Sequence, residues 1–102
     1  MARRLQLHEK LCEILGTRNV YFQPPASVKL RYDAIVYKIS NRNDIKADNT
    51  RYRGFIAYEV TYIYRDPDSL LPEKIMNEFS YITHNNHFTV DNLHHDIFTI
   101  YY

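Results

Sequence analysis

Tyr58-Glu59-Val60-Thr61-Tyr62-Ile63-Tyr64-Arg65-Asp66-Pro67-Asp68-Ser69 is a strand-forming run that ends abruptly in a turn able to start a helix. Tyr58, Val60, Tyr62 and Tyr64 recur at period two, with Ile56 ahead of them, while Ala57, Glu59, Thr61 and Ile63 take the other face. β-branched and aromatic residues at this spacing suit a pleated surface with one face in a core. Pro67 has no N–H to donate to a ladder, and Asp68 or Ser69 is suited to cap a following helix. The segment therefore predicts a long strand, a sharp exit and a helix over about 69–79, where Pro72 is tolerated in the first turn and Leu71, Ile75 and Phe79 share a face.

Working outward toward the N-terminus, Leu7, Leu11, Ile14 and Leu15 fall at i, i+4, i+7 and i+8, which is one apolar stripe on a helix of about 3–15. Gly16 is placed to end it in the left-handed conformation. Val20-Tyr21-Phe22 reads as a short strand closed by Gln23-Pro24-Pro25. Tyr32 to Ile39 reads as a second strand, and its central Ala34-Ile35-Val36-Tyr37 lacks alternation, as in a strand covered on both faces. Residues 40–54 form the one long irregular segment, a polar loop or extended hairpin arm with Ile45 and Tyr52 as its few apolar anchors. On the C-terminal side, short strands are expected at Ser80 to Thr83 with Phe88 to Val90, and at Ile97 to Tyr102. His84-Asn85-Asn86-His87 reads as the turn between them or a hairpin end, and Asp91-Asn92 as another turn. The pattern as a whole predicts an α+β fold, a mostly antiparallel sheet flanked by two helices, in one domain spanning 1–102.

Composition narrows the function classes. The chain has 102 residues, 45% of them hydrophobic and 25% charged, which is ordinary for a globular domain with one core. Its aromatic content is less ordinary, with ten Tyr, five Phe and no Trp. An apolar ring that carries a hydroxyl suits half-buried sheets and subunit interfaces. The formal net charge of +1 argues against a domain that wraps nucleic acid. Cys12 has no partner for an internal disulfide and reads as a small buried hydrophobe in a reducing compartment. No apolar run approaches the ~18 residues of a membrane-spanning helix, and the basic Met1-Ala2-Arg3-Arg4 is not followed by the apolar stretch of a signal peptide.

Several residue sets carry candidate chemistry, each with a plainer reading beside it. His84 and His87, followed by His94-His95-Asp96, offer imidazole and carboxylate groups of the kind that hold zinc at catalytic centres, so a metal-dependent enzyme using His84, His87 and His95 is one reading. Against it, His84 and His87 fall in an expected turn, and His94 and His95 as neighbours on a strand point to opposite faces. Asp66 and Asp68 are paired carboxylates of the kind used in acid–base work, but their place at a strand end favours turn and capping roles. His8 and Cys12 stand at i and i+4 on the first helix, as a Cys–His nucleophile pair would, though Cys12 flanks the apolar stripe. Arg42, Lys46, Arg51 and Arg53, with Tyr52, make the long loop the strongest contact candidate. They suit a neighbouring protein surface, or a nucleic-acid phosphate backbone if Asp44 and Asp48 do not offset them. No glycine-rich phosphate loop exists, and no cofactor is implied.

Asn19-Val20-Tyr21-Phe22-Gln23-Pro24-Pro25, Ile35-Val36-Tyr37, Ala47-Asp48-Asn49, Asp66-Pro67-Asp68-Ser69 with Lys74-Ile75, and His87-Phe88-x-x-Asp91-Asn92-Leu93-x-His95-Asp96 occur in that order. Each motif is unspecific alone. As an ordered set over nearly the whole chain, it resembles the small tail-completion, or tail-terminator, proteins of long-tailed bacteriophages. It departs from them at Asp33-Ala34, where the family pattern has Pro-Cys. The resemblance implies a structural virion protein without catalytic residues: a homohexameric ring on the head-proximal end of the tail tube. Such a ring stops tube growth, offers a docking surface to the head-completion or connector protein, and lets genomic DNA pass without specific binding. It implies assembly in the host cytoplasm and residence at the head–tail joint, with head-closure proteins as the similar alternative. Heterologous contacts that close, supplied by edge strands and a long loop, are what such a ring needs.

Overall fold

The computed structural model describes residues 3–41 and 56–102. The elements in chain order are α1 (Arg3–Leu15), β1 (Val20–Phe22), β2 (Ala34–Asn41), β3 (Ala57–Tyr64), α2 (Leu71–Glu78), β4 (Ile82–Val90) and β5 (Leu93–Tyr101). The five strands form one sheet in the order β1-β2-β3-β5-β4. β1 runs parallel to β2, and the other three pairings are antiparallel. The protein is thus α+β, with a mostly antiparallel sheet and two helices. Arg42, Lys46, Arg51, Arg53 and Tyr52, with most of the expected loop, lie outside the described residues.

β3 sits at the centre of the sheet, between β2 and β5, and is buried on the tyrosine face along its length, with Ala57 and Ile63 buried on the other. Tyr58, Val60, Tyr62 and Tyr64 are all buried on one face, together with Ile35 and Tyr37 of β2 and Phe98 and Ile100 of β5. Leu7, Leu11 and Cys12 of α1, Ile75 of α2 and Phe79 just after it close over that same face. Both helices therefore lie on one side of the sheet. Burying a side chain of this size contributes about 1.5–3 kcal/mol, so this layer dominates the folding energy. On the other side, where Val36, Thr61, Ile97 and Thr99 are half-buried, no helix lies among the described residues.

A tyrosine core requires partners for its hydroxyls, because an unpaired buried O–H costs about 1–3 kcal/mol. The Tyr37 hydroxyl lies 2.8 Å from His8 Nδ1 and 3.5 Å from the Arg4 guanidinium. The Tyr62 hydroxyl meets Ser69 Oγ at 3.2 Å, and Tyr64 donates to Asp96 Oδ2 at 2.5 Å. Among the described residues no buried side-chain polar atom is left without a partner.

Local signals set the element ends. Gly16 has φ +82, and its N–H bonds to the Cys12 carbonyl at 2.8 Å, so it closes α1 as its position predicts. After β3, Asp66 Oδ1 accepts the Asp68 N–H at 3.0 Å, and the Asp66 carbonyl accepts the Ser69 N–H at 3.1 Å. Ser69 Oγ then accepts the Leu71 N–H at 3.3 Å. The Asp-Pro-Asp-Ser segment is the expected joint, with one correction. The residue at the N-cap position is Leu70, which has no capping side chain, and Asp66 and Ser69 satisfy the neighbouring amides from further back.

The larger correction concerns the C-terminal hairpin. His84 to His87 do not form a turn. They lie inside one nine-residue strand, β4, and β5 begins at Leu93 rather than at Ile97. The turn is Asp91-Asn92, with φ 54 and 65. Two successive positive φ values mark the tight hairpin turn whose twist matches its strands, and Asn and Asp tolerate that conformation best.

Candidate functional site

The side chains that converge most closely on one point are those around Asp96. This carboxylate is only 4% exposed, on the inner face of β5 between His94 and Phe98. Register dictates its neighbours: Asp96 stands opposite Tyr62 of β3 on one side and His87 of β4 on the other. Oδ2 accepts from the Tyr64 hydroxyl at 2.5 Å. Oδ1 accepts from His84 Nε2 at 2.9 Å and from His87 Nδ1 at 2.8 Å.

His84 and His87 are three apart, so on a regular strand they would face opposite ways. A register shift between His84 and Asn86 changes that. His84 pairs with Phe98, Asn86 with Ile97 and His87 with Asp96, which leaves Asn85 as the additional residue. This β-bulge restores both histidines to the inner face. The rings form a layer around the carboxylate. His87 and His94 stack at 5.8 Å, His94 stacks on Tyr64 at 5.3 Å, and Tyr62 stacks on Tyr64 at 4.4 Å. His84 meets the Phe98 ring edge-on at 5.1 Å.

The electrostatics follow from this geometry. Burial works to raise the Asp96 pKa, but hydrogen bonds from Tyr64, His84 and His87 and the nearby His87 charge together outweigh it and hold the carboxyl below its ordinary value. Burial, and then the adjacent carboxylate, push the Tyr64 hydroxyl well above the ordinary tyrosine value. Because an ionised carboxylate only accepts, both imidazoles present an N–H to it. The unit is a carboxylate held by three donors, and it ties the edge strand β4 to the centre of the sheet.

The expected trio of His84, His87 and His95 is not brought together. His95 faces the opposite side, stacked on Phe88 at 4.6 Å, with Nδ1 3.1 Å from the Leu93 carbonyl. Among the described residues no three of His, Cys, Asp and Glu are set to hold a metal ion. The inward nitrogens of His84 and His87 are instead both hydrogen-bonded to Asp96 Oδ1. Asp66 and Asp68 serve the turn. His8 turns to Tyr37, and burial together with Arg18 and Arg4 keeps its pKa lowered. With Arg4 donating to the Tyr37 oxygen, the hydroxyl proton points to a neutral His8. Cys12 is buried, and its pKa is raised by that burial, so His8 and Cys12 do not form a nucleophile pair.

Sequence reading brought in Asp96 only beside His94 and His95 as part of a metal set, and Tyr64 only as a core tyrosine, and so missed their pairing. Their signal was there: an acidic residue at period two with Phe98 and Ile100 implies a charge on an apolar face, which needs a partner. Placing the start of the last strand at Ile97 hid it.

Surface clefts lie away from the cluster's centre, and two of them bear on aromatic or cluster residues. One, of about 270 Å³, is lined by Gln6, Lys10, Glu78 and the aromatic residues Phe79, Tyr81, Tyr101 and Tyr102. Lys10 projects over the Phe79 and Tyr102 rings there, at 5.4 and 5.7 Å. The other, of about 370 Å³, reaches His84 from α2 along Pro72, Met76 and Phe98. Among the described residues no helix is long and apolar enough to cross a membrane. No protein-family model, no curated protein and no solved structure matches this chain.

Proposed function

We propose that this chain is a structural virion protein, a phage tail terminator. Copies of it form a homohexameric ring on the head-proximal end of the tail tube, stop tube growth and present the surface to which the head joins. The observation that carries the reading is where the ordered motifs fall in the fold. Asn19–Pro25 covers β1 and its exit, Ile35-Val36-Tyr37 is the middle of β2, Asp66–Ser69 joins β3 to α2, and His87–Asp96 is the β4–β5 hairpin. Four of the five motifs thus fall on strands of one sheet and their connections, as expected if the resemblance is architectural, and Ala47-Asp48-Asn49 lies outside the described residues.

On this reading the partners are other copies of the chain, the tail tube protein and the head-completion or connector protein. The site of action is the virion, after assembly in the host cytoplasm. Arg42, Lys46, Arg51, Arg53 and Tyr52 are the contact residues proposed from the sequence. A near-neutral subunit lets DNA traverse the ring without being retained. The test is to mix purified protein with tail tubes and image them. Capped tubes of limited length support a terminator. Binding to filled heads without binding to tubes would replace it with a head-closure protein.

A further inference from the structure

β4 is the outermost strand of the sheet and pairs only with β5 among the described residues. Eight of its nine residues are exposed. Natural sheets protect such an edge with lysine, proline, inward charges or a bulge, because unpaired N–H and C=O groups recruit another strand. The sequence Ile82-Thr83-His84-Asn85-Asn86-His87-Phe88-Thr89-Val90 has no Lys, Arg, Asp, Glu or Pro, in a chain of which 25% is charged. Its one protective device, the bulge, lies before His87 and leaves 87–90 in regular register with β5.

The hairpin turn fixes which groups face outward. With a two-residue Asp91-Asn92 loop, Val90 and Leu93 are the hydrogen-bonded pair that closes the turn. Phe88 with His95 is then the next such pair, and the main-chain groups of His87 and Thr89 point away from β5. The outward direction at His87 is visible directly, since its N–H is taken by Asn86 Oδ1 at 2.9 Å rather than by the ladder. Beside this edge Phe88 and Val90 are 37% and 50% exposed on the helix-free face, and the Phe88 ring is held by its stack on His95.

We propose that β4 is a self-association edge, through which two copies of this chain join antiparallel about Phe88 into one continuous sheet. His87 of each copy pairs with Thr89 of the other through main-chain hydrogen bonds, and the two Phe88 rings meet across a non-hydrogen-bonded pair. The second copy is the matching occupant because this register is self-complementary and the strand carries no Lys, Arg, Asp or Glu. A two-fold contact sets residue against residue, so charged strands would bring like charges together. Dimer formation through β4 does not depend on a role at the tail, and a ring contact through other surfaces leaves it unchanged.

Sedimentation velocity across a concentration series tests this, with four chains. The wild type should pass from monomer to dimer as concentration rises. Thr89→Pro should stay monomeric, since proline removes an outward N–H and is tolerated where that group faces away from the ladder. Thr89→Ala, which loses the same hydroxyl but keeps the amide, should dimerise like the wild type. Asn86→Ala frees the His87 amide in both copies and should tighten the dimer roughly ten- to a hundredfold, from the usual worth of two hydrogen bonds. If Thr89→Pro fails to fold, amide exchange at Thr89 of the wild type replaces it and must slow as concentration rises. A wild type that is monomeric throughout, an assembly that Thr89→Pro leaves intact, or concentration-independent exchange at Thr89 overturns the proposal.

Discussion

Replacing Asp96 with alanine tests the central structural assignment, that one buried carboxylate fastens β4 and β5 to β3. The bond to Tyr64 is buried at both ends, the two residues being 4% and 5% exposed. A hydrogen bond to a charged group contributes about 1.5–3 kcal/mol, and the abandoned Tyr64 hydroxyl adds a desolvation cost of similar order, offset by no longer burying a carboxylate. The two imidazoles count for less. Their side chains are 39% and 46% exposed, so water replaces the lost acceptor at about 0.5 kcal/mol each or below. The net expectation for Asp96→Ala is a loss of about 2–3 kcal/mol. For a domain of this size that is a fall in Tm of about 10–20 °C. Urea denaturation of Asp96→Ala, Tyr64→Phe and the double variant, with His84→Ala and His87→Ala alongside, measures it. The cycle should return a coupling near 2 kcal/mol between Tyr64 and Asp96, and each histidine variant should cost less than Tyr64→Phe. A coupling below about 0.5 kcal/mol, or histidine variants costlier than Tyr64→Phe, would refute the assignment of the load to the buried pair.

The same groups set how stability varies with pH. Asp96 is depressed in the folded state, so its contribution is present above its ordinary value of 3.8 and is lost as pH falls through its lower folded value; acid titration of wild type and Asp96→Ala should converge there. Tyr37, Tyr62 and Tyr64 are raised, so their contribution is complete below the ordinary value of 10.0 and is lost as pH climbs above it; Tyr64→Phe should be less sensitive to alkali in a pH series of urea midpoints. Leu11 is fully buried, and Leu11→Ala should cost about 2–5 kcal/mol by chemical denaturation, with no change in the far-ultraviolet circular dichroism of the folded state. At Gly16 a Cβ would meet nothing within 4 Å, so Gly16→Ala should cost only the left-handed strain of about 1–2 kcal/mol, and a larger loss would mean a contact the geometry does not contain.

The central strand and the first helix were legible because their signals are local and redundant. Strict alternation over Tyr58–Tyr64 leaves one way to place the tyrosines, since a slip by one residue would turn all of them to the wet side. The stripe of Leu7, Leu11, Ile14 and Leu15 with Gly16 after it likewise specifies α1 and its end. The edge hairpin was not legible in the same way. His84-Asn85-Asn86-His87 has the composition of a turn, and its strand conformation comes from pairing with β5, which no local propensity encodes. Val90 and Leu93 around Asp91-Asn92 did carry the true turn signal, but two adjacent polar pairs competed for it.

What the sequence alone determined is which residues must be buried and on which face of which element, because burial free energy acts residue by residue on a fixed period of two or 3.6. What only the tertiary structure decided is which of the polar residues meet. Asn85, added on one strand and not on its partner, turns His84 and His87 to the same face, and the antiparallel register of β5 delivers Asp96 between them and beside Tyr64. Register is a property of two strands together, so no reading of either one alone could place that carboxylate.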